Sequence, residues 1–283
     1  MIENMIHWGG EGPVLHLAHA NSFHPGTYQE LIENLKTQFS VYSVLMKPFH
    51  QNASPDDLHS WTELRDELIQ NFDVMGWKNV VGLGHSLGST VTMMASVERP
   101  DLFSKLVIIE PPCINPLFFR LMDILPYSFL KNMVPPSKIA LRRRHKWPSR
   151  EQAFQLFRRK KVFDKWSDNA LRAYVEYGLS RDEDGEFRLT FSKFWESKIY
   201  CTIENPYKLI SKLTHETLCI RGDDSDVISE KYWKKWQRLQ PEGLFVNIAE
   251  GGHHVPLEKP LEVGRIVKNF VSTGHIEKKV STG

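Results

Sequence analysis

The chain has 283 residues, of which 41% are hydrophobic and 25% charged, and its formal net charge is +2. This length suits one α/β domain with an insertion. The small charge, the absence of a membrane-length apolar run and three cysteines without metal-ligand spacing predict a cytoplasmic protein with no nucleic-acid partner, membrane span, metal or other cofactor.

Short apolar runs alternate with longer helix-like segments through the first part of the chain. The runs are rich in valine, isoleucine and leucine and lack clean polar alternation, which indicates strands buried on both faces of a mostly parallel sheet. A short strand at 5–8 is expected first. The following elements are predicted as strand 14–18, helix 27–38, strand 41–45, helix 58–75, strand 79–83 and helix 87–98.

The same alternation continues after an interruption. The later elements are predicted as strand 105–110, strand 217–220, helix 229–239, strand 244–249 and helix 261–271. Between 112 and 208 the pattern gives way to helix-like, aromatic-rich segments bounded by proline clusters. We therefore predict a core formed by 1–111 and 209–283, and a helical cap formed by 112–208 that lies over the carboxyl ends of the strands.

The motif GHSLG at 84–88 places Ser86 between a predicted strand and a predicted helix. In such a sharp turn a serine hydroxyl projects above the edge of the sheet, and side chains at the flanking positions 84 and 88 would collide with neighbouring elements. This nucleophile-elbow pattern predicts covalent acyl chemistry at Ser86.

A nucleophilic serine needs a base and a carboxylate that orients it. His253 lies in a glycine-flanked loop after the predicted strand 244–249, and several carboxylates at 223–226 follow the strand 217–220. Both loops leave the sheet at the end where Ser86 is expected. The chain order of serine, acid and histidine is that of the α/β-hydrolase triad.

Three stretches give the chain a resemblance to the α/β-hydrolase superfamily: HANSF at 19–23, GHSLG at 84–88 and GGHHVPLEKP at 251–260. The resemblance implies an α/β-hydrolase core with a cap, and a catalytic triad of Ser86, Asp226 and His253. Asp226 matches the acid of members whose loop reads R-G-x-x-S-D. Asp224 is the first alternative, and Glu110, at the end of the preceding core strand, is the second.

The tetrahedral intermediate of acyl transfer needs two N–H donors that form an oxyanion hole. One is expected from Leu87, the residue after the nucleophile, and the resemblance places the other at Asn21. Hydrolases of this type usually have glycine where this chain has Ala20. The Cβ of alanine narrows the allowed backbone angles of that loop.

These residues favour a serine hydrolase that acts on a carboxylic ester or related small acyl substrate. Hydrolysis of a carbon–carbon bond, a lactonase activity and a receptor with slow turnover use similar constellations and remain alternatives. A nicotinamide-dependent oxidoreductase is a further alternative, because 82–88 also reads G-x-G-x-x-x-G and Glu110 could bind a ribose. The sequence leaves the substrate, the lining of the pocket and the oligomeric state open.

Overall fold

A computed structural model describes residues 4–275, so the predicted core segments at 1–3 and 276–283 lie outside the described residues. The described chain contains ten strands, seven in a central sheet and three in a small one. They are β1 Met5–Gly9, β2 Val14–Ala18, β3 Ser40–Val44, β4 Val80–His85, β5 Phe103–Ile109, β6 Lys146–Trp147, β7 Leu179–Arg181, β8 Phe187–Leu189, β9 Thr217–Gly222 and β10 Leu244–Ile248.

Thirteen α-helices accompany these strands within the described part of the chain. They are α1 Gln29–Leu35, α2 Thr62–Val74, α3 Leu87–Glu98, α4 Pro116–Ile124, α5 Tyr127–Met133, α6 Pro135–Arg142, α7 Arg150–Arg158, α8 Asp168–Gly178, α9 Lys193–Cys201, α10 Tyr207–Ile210, α11 Glu230–Leu239, α12 Val255–Glu258 and α13 Pro260–Thr273. None of these helices is both long enough and apolar enough to cross a bilayer.

The central sheet has the strand order β1-β3-β2-β4-β5-β9-β10. Only β1 runs antiparallel to its neighbour, and the other pairs are parallel. The carboxyl ends of β2, β4, β5, β9 and β10 therefore meet along one edge of the sheet. Loops that leave this edge can bring residues far apart in sequence into one site.

Helices cover both faces of the sheet because its strands are apolar on both sides. In β5, Val107 and Ile109 pack in a cluster with α1 and α13, whereas Leu106 and Ile108 pack in a second cluster with α2, α3 and α11. This alternation divides the core into two layers. The mostly parallel sheet covered by helices on both faces confirms the predicted fold class.

The segment between β5 and β9, where a helical cap was predicted at 112–208, contains helices α4 to α10 and also strands β6, β7 and β8. These strands form a small antiparallel sheet in the order β6-β8-β7. The prediction of helices alone was incomplete. Strands of two or three residues are too short to show a period of two in the sequence.

Candidate active site

Ser86 lies in the turn between β4 and α3 with φ 53° and ψ −114°. This positive φ is unfavourable for a residue with a Cβ, so the surrounding packing must hold it. A Cβ on Gly84 would lie 2.4 Å from the carbonyl oxygen of Gly88, and one on Gly88 would lie 2.1 Å from that of Ala18. Both glycines are needed for the close approach of strand and helix.

His253 lies in the loop between β10 and α12 and bridges two other side chains. Its Nε2 is 3.1 Å from Ser86 Oγ, and its Nδ1 is 3.0 Å from Glu110 Oε2. In the neutral imidazole Nδ1–H donates to the carboxylate, which leaves Nε2 free to accept the serine proton. The ring can therefore act as a general base toward Ser86.

Glu110 follows the last residue of β5 and its side chain is completely buried. Oε1 accepts a hydrogen bond from the Gly222 N–H at 2.8 Å. Oε2 accepts one from Ser225 Oγ at 2.6 Å in addition to that from His253. A buried carboxylate requires such compensation, and these donors fix it against the imidazole.

The carboxylate at His253 is thus Glu110, the second alternative, and the geometry does not place Asp226 there. Asp226 is exposed, and within residues 4–275 no hydrogen bond joins it to His253. Asp224 is also exposed and forms an ion pair of 2.6 Å with Lys165. Ser225, which lies between these two aspartates, donates to Glu110.

The two predicted oxyanion donors come from the start of α3 and from the loop after β2. Leu87 is the first residue of α3, where a backbone N–H has no acceptor within the helix. Asn21 lies in the loop after β2, next to Ser22, which has a φ of 65°. Asn21 Nδ2 donates to the carbonyl oxygen of Glu196 in α9 at 3.2 Å, which fixes the loop against the inserted segment.

A buried hydrogen-bonded chain connects the three loops of the site. His85 Nε2 lies 2.8 Å from the carbonyl oxygen of His253, so it must carry the proton and donate. His85 Nδ1 then accepts from the Tyr28 hydroxyl at 2.7 Å, and that hydroxyl accepts from the Ala20 N–H at 3.1 Å. Burial lowers the pKa of His85 well below its ordinary value, which keeps this neutral tautomer.

Nothing in the sequence pattern pointed to Tyr28, because its hydroxyl reaches the site from the turn before α1. The inserted segment reaches the same loops through aromatic contacts. Trp166 and Phe23 both lie against the ring of His254, with centroids 5.4 and 5.2 Å away. The residues of the described chain include no cluster of three or more histidine, cysteine or acidic side chains suited to a metal.

The fold and the sequence together identify the class. A family model described as the alpha/beta hydrolase family matches residues 17–266, and the chain belongs to this family. Glu110, which a dinucleotide site would need for a ribose, instead accepts hydrogen bonds from its own chain. The oxyanion-hole and cap assignments stay predictions.

Two curated relatives cover most of the chain. It is 21% identical over 251 residues to the uncharacterized hydrolase YugF of Bacillus subtilis (strain 168), which covers 87% of this chain and 85% of the relative. It is 22% identical over 242 residues to the esterase YbfF of Escherichia coli (strain K12), with 86% of each chain covered. These similarities support a hydrolase.

The fold is also found among solved structures. E-2-(acetamidomethylene)succinate hydrolase superposes with a TM-score of 0.77 at 18% identity, over 93% of this chain and 92% of the other. At this identity the likeness concerns the fold alone.

Proposed function

We propose that the protein is a serine hydrolase that cleaves a carboxylic ester or related acyl substrate through Ser86, His253 and Glu110. One observation carries the proposal: the His253 ring lies between Ser86 Oγ and a buried Glu110 carboxylate, within hydrogen-bond distance of both. This is the arrangement of nucleophile, base and orienting acid in serine hydrolases.

In the proposed reaction, His253 Nε2 takes the Ser86 proton while Oγ attacks the carbonyl carbon. The N–H groups of Leu87 and Asn21 stabilise the negative oxygen, and His253 then gives its proton to the leaving group. Water attacks the acyl enzyme with His253 again as the base, which releases the acid and restores Ser86. Glu110 holds the imidazole and stabilises its charged form in both halves of the reaction.

Labelling with a fluorophosphonate and mapping of the labelled peptide test the nucleophile directly. We expect the label on Ser86, sustained hydrolysis of p-nitrophenyl butyrate, and the loss of both in Ser86→Ala with its circular dichroism spectrum unchanged. Ser89 lies in the first turn of α3 and donates to the Gly84 and Ile109 carbonyl oxygens, so Ser89→Ala is a control that should keep the label.

Hydrolysis that persists in Ser86→Ala would refute the assignment. Labelling of the unmodified protein without sustained hydrolysis of any ester would favour a receptor over an enzyme.

A further inference from the structure

An ion pair of the inserted segment lies against the loop that carries Asn21. Arg143, just after α6, places Nη1 2.6 Å from Glu196 Oε2 in α9, and the two side chains are only 17% and 10% exposed. The carbonyl oxygen of the same Glu196 accepts from Asn21 Nδ2. One member of the pair is therefore in direct contact with Asn21, a proposed oxyanion donor.

Aromatic contacts place the pair on the side of His253 as well. The Tyr174 phenol lies close enough to Arg143 for the positive charge of the guanidinium to act on its pKa, against the larger opposing effect of burial. The Tyr174 ring lies 5.6 Å from Phe23 and 5.9 Å from Trp166. Phe23 and Trp166 in turn contact His254, the neighbour of His253. Arg143 is thus connected to both the oxyanion loop and the histidine loop.

The surrounding side chains do not satisfy all the hydrogen-bond donors of the Arg143 guanidinium. Its Nη2 is buried, and within the described residues it has no hydrogen-bond acceptor. Arginine offers five N–H donors in a planar fork that suits a carboxylate. A buried donor without an acceptor is unfavourable, so an acceptor from outside the chain would stabilise it.

The local charge favours an anion as that acceptor. The pKa of Lys160 is lowered first by burial and then by the positive charge of Arg143, so the two cations lie near each other. Two cations thus share one carboxylate, that of Glu196, which leaves a net positive charge beside the site. The phenol of Tyr200 lies in the same cluster, where burial and Glu196 raise its pKa above the ordinary value and keep it a neutral donor.

We propose that Arg143 binds a carboxylate at the far end of the acyl chain while the acyl carbonyl lies at Ser86. The substrate class is then an ester or related acyl derivative whose acid part carries a second, free carboxylate. This inference rests on the proposed function and specifies the substrate for the same site. Arg143 makes a charge-assisted contact with the substrate and takes no part in proton transfer.

Two esters with the same leaving group test the subsite: p-nitrophenyl hemiglutarate, whose acyl chain ends in a carboxylate, and neutral p-nitrophenyl butyrate. We expect the unmodified protein to prefer the hemiglutarate in kcat/KM. Arg143→Gln should reduce kcat/KM for the hemiglutarate by roughly 10- to 100-fold, mainly through KM, because a hydrogen bond to a charged group is lost. Because Arg143 also pairs with Glu196 beside the oxyanion loop, kcat/KM for the butyrate should fall as well, but by a smaller factor. The decisive quantity is the ratio of kcat/KM for the hemiglutarate to that for the butyrate, which should fall roughly tenfold.

Arg142→Gln is the matched control, because Arg142 is the exposed neighbour of Arg143 and its loss changes the net charge equally. We expect this variant to keep the preference for the hemiglutarate. An equal loss of preference in both variants would overturn the subsite, since it would indicate a general effect of charge.

A measurement on the unmodified protein avoids any dependence on how Arg143→Gln folds. Glutarate should slow fluorophosphonate labelling of Ser86, and glutaramide at the same concentration and ionic strength should not. If Ser86 is labelled and the butyrate is hydrolysed, but neither protection nor preference for the hemiglutarate is found, the subsite is refuted alone. If neither ester is hydrolysed and Ser86 is not labelled, the proposed function itself fails.

Discussion

Glu110 can reach His253 because of where its backbone leaves the sheet. It follows β5 with a φ of 51°, in the left-handed region that a residue with a Cβ rarely adopts. Of the other four non-glycine residues with positive φ in the described chain, Ser22, Ser86 and Glu250 follow core strands at the same edge, and Asn79 precedes β4. Backbone strain is therefore concentrated where the candidate site is built, and hydrogen bonds such as those to Glu110 hold it in place.

Tyr28 provides a test of the hydrogen-bonded chain at the scale of one atom. Tyr28→Phe removes the hydroxyl that joins the Ala20 N–H to His85 Nδ1 and leaves both groups buried without a partner. We expect about 1–3 kcal/mol less free energy of unfolding. We also expect kcat to fall roughly tenfold with little change in KM, because the oxyanion and histidine loops lose their common support.

Ester kinetics and urea unfolding of Tyr28→Phe check this prediction together. Tyr42→Phe, a change of the same size on β3, is the control and should leave kcat unchanged. A loss of stability in Tyr28→Phe with unchanged kcat would mean that the chain supports the fold only.

Elements with strong local patterns could be predicted from the sequence. The strand Val14–Ala18 and the helix Leu87–Glu98 have the predicted bounds, because a buried apolar run and the turn at Ser86 define their ends locally. The helix predicted at 27–38 instead begins with a tight 3-10 turn at Pro25–Tyr28 and ends at Leu35. Its ends depend on packing against other elements, which local propensity does not describe.

The site residues that could be predicted are those that lie in a loop with a recognisable sequence motif. Ser86 and His253 each lie beside glycines in a recognisable turn, and the structure brings them together. The acid could not be predicted in this way, because the order of the strands in the sheet decides which carboxylate reaches His253. Glu110 reaches the imidazole from β5, next to β9, and the serine at 225 completes its hydrogen bonds. Tertiary contacts of this kind leave no local pattern.

The whole molecule carries several histidines that the fold keeps neutral. Burial lowers the pKa of His16 to about 3 and that of His19 to about 4, and it lowers that of His85 well below the ordinary value. Below about pH 6.5 the unfolded chain binds protons that the folded protein does not. The free energy of unfolding should therefore decrease as the pH is lowered, by up to about 1.4 kcal/mol per histidine and pH unit.

Three other groups oppose this trend. The hydrogen bond that His50 donates to the Glu67 carboxylate raises the pKa of His50, and burial raises those of Glu196 and Glu258. These groups therefore favour the folded state as the pH falls. Between pH 6.5 and 5 the larger shifts of the buried histidines should dominate. Urea unfolding should give a lower midpoint at pH 5 than at pH 7.5. An equal or higher midpoint at pH 5 would contradict neutral burial of these side chains.

The central claim is that Glu110 is the acid that orients His253. Its most direct test is kcat for p-nitrophenyl butyrate in Glu110→Gln and Asp226→Asn, two substitutions that each remove a charge with little change in shape. We predict a loss of roughly 10⁴-fold in Glu110→Gln, the scale known for an orienting acid, and a change of less than about threefold in Asp226→Asn. A folded Glu110→Gln variant with nearly full kcat, beside an inactive Asp226→Asn, would contradict the account.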